Sequence, residues 1–362
     1  MNKHVLVAMS GGVDSSVAAL LLKEQGFAVT GVTMCLSVSG GNTSSPRGRR
    51  PGCCGLEGIE DARRVARQLD IRHYVLNFGK DLERDVVRDF IGEYAAGRTP
   101  NPCVRCNQYL KFDRLLATAG ASGVPYLATG HYARVVRRGR SCLLKKGADA
   151  RKDQSYFLCQ VPRSRLGRIL LPLGGLTKEE VRRIAREKGL AVADKPGSQE
   201  VCFIPDNDYR AFLRSRLDAS YFKPGDIVGE DGRPLGRHEG IFNFTLGQRE
   251  GLGIAAPHAL YVLSIDPARH RITVGPKQGV FRKGLLADEV NVLDPAAFKK
   301  RRSIKAKIRY NHPEAPVRLT RASRSGITAV FRTAQPAVTP GQFAVFYAGD
   351  TVVAGGRITG SF

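Results

Sequence analysis

Two apolar runs near the start of the chain, His4-Val5-Leu6-Val7-Ala8-Met9 and Val17-Ala18-Ala19-Leu20-Leu21-Leu22, are separated by Ser10-Gly11-Gly12-Val13-Asp14-Ser15-Ser16. The first run reads as a buried strand, and the second as a helix halted by Gly26. A Gly-Gly pair at a strand-to-helix junction lets the backbone approach an anion closely. The helix N-terminus then adds free N–H groups and the positive end of a dipole. Ser10, Ser15 and Ser16 supply hydroxyls, whereas Asp14 would repel a phosphate unless a cation lay between them; Mg²⁺ is the natural bridge. No Gly-Lys-Ser/Thr follows, so this is not a kinase-type phosphate loop.

The following segments repeat the alternation. Residues 28–36 read as a strand, Ile59, Ala62, Val65, Ala66 and Leu69 keep helical spacing, and Tyr74-Val75-Leu76 reads as a strand. Leu82, Val86, Phe90, Ile91 and Tyr94 mark one more helix, and Tyr126-Leu127-Ala128-Thr129 a further strand. The pattern predicts an α/β fold with a doubly wound parallel sheet over residues 1–205 and the loop after the first strand at the carboxyl ends of the strands, where ligands bind. Thr177 and Glu180 form a capping box opening a helix that ends near Gly189. Beyond residue 210 short strands alternate with turns such as Asp231-Gly232 and Gly349-Asp350. We expect a small central β-rich domain at 210–282 and a C-terminal β-barrel domain at 285–362.

At 362 residues the chain can bury two or three cores, and it has no apolar run of membrane-spanning length. The first strand begins at once, without a signal-peptide pattern, so a cytoplasmic location is expected. In that reducing setting eight cysteines point to catalysis, metal or burial, not to a disulfide scaffold. The net charge of +24 attracts polyphosphate, RNA above all; Arg47-Gly48-Arg49-Arg50, Arg137-Arg138-Gly139-Arg140 and Lys299-Lys300-Arg301-Arg302 are its densest runs. Arginine on a solvated surface would give the same composition without a partner.

Asn101-Pro102-Cys103-Val104-Arg105-Cys106-Asn107 is the second motif with chemistry. Asn101 can cap a helix with Pro102 at its first position, which puts Cys103 and Cys106 on one face of the first turn. The helix dipole and Arg105 should lower their thiol pKa values. The pair fits a redox dithiol or two ligands of a metal centre, and Cys202 in Ser198-Gln199-Glu200-Val201-Cys202-Phe203 is the best distant third. A zinc clasp with Cys53 and Cys54 is the structural alternative. Cys35, Cys142 and Cys159 sit in apolar runs and read as core.

The first motif resembles the PP-loop of ATP pyrophosphatases. Taken with Gly31-Val32-Thr33-Met34, residues 128–134, Lys152-Asp153-Gln154-Ser155-Tyr156-Phe157-Leu158, residues 247–253, Pro340-Gly341-Gln342 and Gly355-Gly356, the chain resembles the tRNA-specific 2-thiouridylases of the MnmA type nearly end to end. The resemblance implies ATP-dependent conversion of the wobble uridine of tRNA to 2-thiouridine. It places ATP on Ala8, Met9, Ser10, Gly11, Gly12, Val13, Asp14, Ser15, Met34 and Gly130, with Mg²⁺. It places the tRNA anticodon stem-loop on Asn101, Pro102, His131, Lys152, Asp153, Gln154, Arg309, Tyr310 and Gln342. Cys106 matches the family's nucleophile and Cys202 its persulfide carrier, fed by a sulfur-donor protein such as a cysteine desulfurase or a sulfur carrier. Many members carry Asp where this chain has Cys103. The branch with three cysteines is associated with a [4Fe–4S] cluster, so Cys103, Cys106 and Cys202 could instead hold one. Two other classes of function remain: another PP-loop ligase, which would leave the cysteines and the charge without a role, and a non-catalytic RNA-binding protein, which would leave Asp14 without one.

Overall fold

The computed structural model describes residues 3–36, 56–197, 201–218 and 221–362. The Arg/Gly-rich stretch 37–52, Cys53, Cys54 and residues 198–200 of the Cys202 motif lie outside them. Contacts divide the chain into two units, one of residues 1–86, 103–207 and 350–352, the other of residues 87–102, 208–349 and 353–362.

The first unit is built on β1 (His4–Ala8), β2 (Ala28–Cys35), β3 (Arg72–Asn77), β4 (Tyr126–Ala128), the hairpin of β5 (Ala133–Arg138) and β6 (Ser141–Lys146), and the short β7 (Ile169–Leu170). Five of these form a sheet in the order β3-β2-β1-β4-β7, with every pairing parallel. Parallel neighbours need crossovers. The helices α1 (Val13–Glu24) and α2 (Leu56–Gln68) supply the first two, and α3 (Lys178–Glu187) follows β7. Val5 and Val7 of β1, Val17, Ala18 and Leu22 of α1, Ala62 and Val65 of α2, and Val181 and Ala185 of α3 share one buried cluster. The strand order changes direction between β1 and β4, so the turn after β1 opens at a topological switch point.

Two long helical segments are not uniform. Residues 79–95 are α-helical at Gly79–Leu82, π-helical at Glu83–Val87 and α-helical again at Arg88–Ala95. The cysteine motif behaves alike: Pro102–Arg105 is α-helical, Cys106–Leu115 π-helical and Leu116–Ala121 α-helical. A π-helical stretch widens the turn and shifts the face on which later residues emerge.

In the second unit, Phe90 meets the ring of Phe212 on α4 (Tyr209–Arg214) edge-on, and Tyr94 stacks on Tyr209 at 5.2 Å. These aromatic contacts group residues 87–102 with the C-terminal half, although alternation alone places them in the N-terminal domain. β8 (Gly225–Val228), β9 (Pro234–His238), β10 (Tyr261–Asp266) and β11 (Arg271–Gly275) form a sheet in the order β10-β11-β8-β9 over Ile227, Val262, Ile272 and Val274. β12 (Phe281–Val292), β13 (Ile304–Lys307), β14 (Ala315–Ala322), β15 (Ile327–Pro336), β16 (Phe343–Ala348) and β17 (Thr351–Ser361) follow in the order β12-β15-β14-β13-β16-β17. Pairing of β12 with β17 closes them into a barrel filled by Leu285, Ile304, Phe331, Phe346 and Ile358. Closure leaves no sheet edge to be covered.

Candidate nucleotide and thiol site

The loop after β1 is held by its own hydroxyls. The Ser10 amide donates to Ser15 Oγ at 3.1 Å, and the Ser15 and Ser16 hydroxyls donate to the Gly12 carbonyl at 3.1 and 3.0 Å. Gly12 is the N-cap of α1 and brings no side-chain cap, which leaves the first turn of the helix without a capping side chain. Gly11 has φ +74°, and a Cβ there would stand 2.2 Å from the Gly58 carbonyl oxygen of α2. No other residue type fits that turn.

Asp14, in the first turn of α1, is the polar hub of the loop. Its Oδ1 accepts the Tyr132 hydroxyl at 2.7 Å and the Lys178 ammonium at 2.5 Å. Burial, reinforced by the Asp14 charge, pushes the Tyr132 phenol far above its ordinary pKa, so it stays a donor. Lys178 is the first residue of α3; its backbone N–H donates to Asp149, and its ammonium lies 5.9 Å over the Tyr132 ring. Gly130, two residues beyond the end of β4, presses on the loop: a Cβ there would lie 2.7 Å from the Asp14 carbonyl carbon and 2.8 Å from the Ser15 nitrogen. Of the other expected nucleotide residues, Met9 and Val13 are buried, while Ala8 and Met34 are half-buried at the ends of β1 and β2. Among the described residues no three His, Cys, Asp or Glu side chains are placed to hold a metal. Asp14 therefore offers one carboxylate, which suits a Mg²⁺ that takes its other ligands from phosphates and water.

The helical spacing predicts that Cys103 and Cys106 lie on one face of the first turn. In the structure their burial differs: Cys103 is exposed, Cys106 is buried and Cys202 is intermediate. The change from α- to π-helix falls at Cys106 and accompanies its turn inward. All three belong to the first unit, yet they do not form a metal-holding group there. Arg105, expected to lower the pKa of the neighbouring thiols, has a buried side chain. It is 2% exposed, donates to Gln108 Oε1 at 2.8 Å and lies 5.8 Å over the Tyr109 ring. Of the three cysteines read as core only Cys159 is buried; Cys35, ending β2, and Cys142, on the hairpin, are intermediate. Burial raises the Cys159 thiol far above its ordinary value, against the pull of the Arg105 charge. Asn107 links this motif to the next: its amide donates to the Phe157 carbonyl at 3.2 Å.

Several residues expected at tRNA are spent on internal contacts. Asp153 is buried and accepts from the Gly147 and Ser155 amides at 3.0 Å each. Gln154 exchanges hydrogen bonds with the Tyr132 backbone at 3.0 and 2.8 Å, and so holds the residue that donates to Asp14. His131 packs beside the Phe112 ring with Nδ1 2.7 Å from the Thr129 hydroxyl, and burial lowers its pKa well below the usual value. Lys152 is exposed. In the second unit, Arg309 donates to the Leu246 carbonyl and the Thr339 hydroxyl, and Lys307 sits 5.3 Å over the Tyr310 ring. Gln342 donates to the Thr99 and Pro100 carbonyls at 2.8 and 3.0 Å, fixing the backbone just before Asn101 and Pro102.

Residues 3–206 match the family described as tRNA methyl transferase HUP domain, residues 210–276 the tRNA methyl transferase PRC-barrel domain, and residues 282–358 the aminomethyltransferase beta-barrel domain. The tRNA-specific 2-thiouridylase MnmA of Heliobacterium modesticaldum is 47% identical over 99% of this chain and 93% of its own. That of Lachnoclostridium phytofermentans is 47% identical over 98% of this chain and 99% of its own, and that of Geobacter metallireducens 48% identical over 98% and 96%. The chain belongs to the MnmA family.

In this MnmA-family chain, motif reading misses two residues of the loop's surroundings, Tyr132 and Lys178. Thr177 and Glu180 form the expected capping box, with the Thr177 hydroxyl accepting from the Glu180 amide. Lys178 between them reads as an ordinary surface lysine. One signal was available: a cation in the first turn of a helix opposes the dipole, so it needs an anion nearby.

Proposed function

We propose that this MnmA-family chain is an ATP-dependent tRNA 2-thiouridylase. What carries the proposal is the 47–48% identity to tRNA-specific 2-thiouridylases over nearly the whole chain, together with the presence in one unit of the serine- and glycine-lined loop around Asp14 and of Cys106 and Cys202. The loop binds ATP, with Mg²⁺ between Asp14 and the phosphates, and Met34 and Gly130 border the nucleotide. The basic surface, including Lys152, holds tRNA through phosphate contacts, and the wobble uridine leaves its stack to reach the thiols. Gln342 acts on the target base indirectly, by fixing the approach to Asn101 and Pro102.

The chemistry has two stages. Uridine O2 attacks the α-phosphorus while the N3 proton leaves; the O2–P bond forms and the bond to pyrophosphate breaks. The N-terminal amides of α1 stabilise the departing charge. The terminal sulfur of a persulfide on Cys202 then adds to C2, the C2–O2 bond breaks and AMP departs. Cys106 attacks the Cys202 sulfur, which releases 2-thiouridine and leaves a Cys106–Cys202 disulfide for a thiol reductant to reopen. The described residues do not gather Cys103, Cys106 and Cys202 as cluster ligands, so no step is routed through iron. A sulfur-donor protein recharges Cys202, and the enzyme works in the cytoplasm, where tRNA is its substrate. No helix among the described residues is long and apolar enough to cross a membrane. We also propose the division into domains at 1–205, 210–282 and 285–362.

The test measures pyrophosphate release and 2-thiouridine formation with ATP, unmodified tRNA and a persulfide donor. Asp14→Asn is expected to abolish both while tRNA affinity stays within a few-fold. Pyrophosphate release that depends on a small carboxylate instead of tRNA would assign the chain to the ligases. ATP-independent tRNA binding without turnover would make it an RNA-binding protein.

A further inference from the structure

Between α3 and Cys202 the chain runs back along α2. Gln68, the last residue of α2, holds the start of this stretch: its amide donates to the Gly189 carbonyl at 3.1 Å, and its Oε1 accepts the Ala191 N–H at 3.1 Å. Leu190, Val192 and Ala193 share the buried cluster that contains Ala62 and Val65 of α2. Lys195 then meets the other end of that helix. Its ammonium donates to Asp61 Oδ2 at 2.5 Å and stands 3.7 Å from Glu57. The same end of α2 backs the nucleotide loop, because the Gly58 carbonyl oxygen is the atom that a Cβ on Gly11 would strike. Asp61, one turn beyond Gly58, is 7% exposed. A buried ion pair is weak support for stability, since desolvation offsets the attraction; what it can fix is geometry. At Gly197 a Cβ would meet no described atom within 4 Å, and Cys202 comes seven positions after Lys195. Seven residues reach about 25 Å at most, so the hold on Lys195 limits where Cys202 can go.

We propose that Lys195 and Asp61 are positioning residues for sulfur transfer. The pair anchors the chain that carries Cys202 to the helix end behind the nucleotide loop, so that the persulfide is presented where the adenylated base forms. The proposal deepens the thiouridylase reading and rests on its persulfide step. Neither side chain moves a proton or touches a reacting atom in this role. Adenylation does not depend on the pair, because the nucleotide loop is held by its own hydroxyls and by the Gly11–Gly58 backbone approach. Removal of Lys195 also leaves Asp61 with a second cation, Arg64 at 3.2 Å, so the fold should survive it.

The experiment compares wild type, Lys195→Met, Lys195→Arg and Gln68→Ala, each loaded with persulfide to an extent read by mass spectrometry. In a single turnover with enzyme in excess over tRNA, pyrophosphate release and 2-thiouridine formation are followed as separate rates, and thermal melting reads folding. Lys195→Met should form 2-thiouridine about tenfold or more slowly, while pyrophosphate release stays within about twofold, because a reacting group misplaced by about 1 Å loses up to about 100-fold in rate. Lys195→Arg should recover most of the loss, because the cation remains. Gln68→Ala cuts the tether at the other end of α2 and leaves Lys195 in place, so it should keep the two rates in their wild-type ratio. If Lys195→Met slows both rates by the same factor or changes neither, or if Gln68→Ala separates them as strongly, the pair only holds the fold and the proposal falls. A Cys202→Ala protein that still forms 2-thiouridine would mean instead that the persulfide reading has failed, and the proposal with it.

Discussion

Gly130→Ala tests how closely the nucleotide loop is fitted to the strand end behind it. The added methyl carbon would lie 2.7 Å from the Asp14 carbonyl carbon, 2.8 Å from the Ser15 nitrogen and 3.0 Å from the Asp14 oxygen. All three are backbone atoms, so no side chain can rotate away. Ordinary contact begins near 3.4 Å, which means the loop and the strand end must part by about 0.7 Å. Overpacking of this kind costs about 1–3 kcal/mol. In a unit of this size that lowers Tm by roughly 2–12 °C. The functional loss should be larger than the stability loss, because a displacement of about 1 Å in a catalytic loop costs on the order of 100-fold in rate. Thermal melting and tRNA-dependent pyrophosphate release measure the two separately, with tRNA affinity as the control. A Gly130→Ala protein with wild-type Tm and turnover would show that the approach of Gly130 to the loop plays no part in holding it.

Cys106→Ala and Cys202→Ala should each abolish 2-thiouridine formation while tRNA-dependent pyrophosphate release persists, because adenylation precedes sulfur transfer. Cys103→Asp should retain thiolation; loss of thiolation together with bound iron in anaerobically prepared protein would overturn the persulfide route and install the cluster. Arg357 is 13% exposed and contacts Asp89 at 2.7 Å, Glu93 at 2.7 Å and Glu289 at 3.0 Å. Arg357→Met leaves Asp89 and Glu289 without this cation, while Glu93 keeps Arg98, and should cost about 1–3 kcal/mol in urea unfolding of the second unit; a change below about 0.5 kcal/mol would count against it. Asp85 is held below its ordinary value of 3.8 chiefly by its hydrogen bond to Arg84, with Arg114 adding to it. A depressed carboxylate stabilises above its unfolded pKa and loses that contribution as pH falls through the folded one. The stability gap between wild type and Asp85→Asn should therefore be full at neutral pH and shrink below about pH 4; a gap that is flat across that range would contradict the ion pair.

The parallel sheet, the loop after its first strand and the closed barrel were legible because each leaves a local trace. Apolar runs of strand length alternate with helical spacing, and a Gly-Gly-x-Asp turn has few other uses. The destination of residues 87–102 was not legible, since Phe90 and Tyr94 keep helical spacing whichever unit they pack against. Nor was the inward turn of Cys106, because a π-helical stretch has no spacing signature in the sequence. Asp153 and Gln154 were expected at tRNA from the resemblance, and their side chains here hold the Tyr132 and Ser155 backbone.

The sequence by itself singled out the residues proposed to carry chemistry: Ser10 to Ser16, Cys103, Cys106 and Cys202. Their residue types limit what they can do, whatever surrounds them. Only the tertiary structure decided what they face. Tyr132 and Lys178 come to Asp14 from 118 and 164 residues away. Gly130 comes to the same loop from just beyond the end of a neighbouring strand. Contacts of that separation depend on how whole helices and strands pack, and packing is a property of the assembled core that no local stretch of sequence encodes.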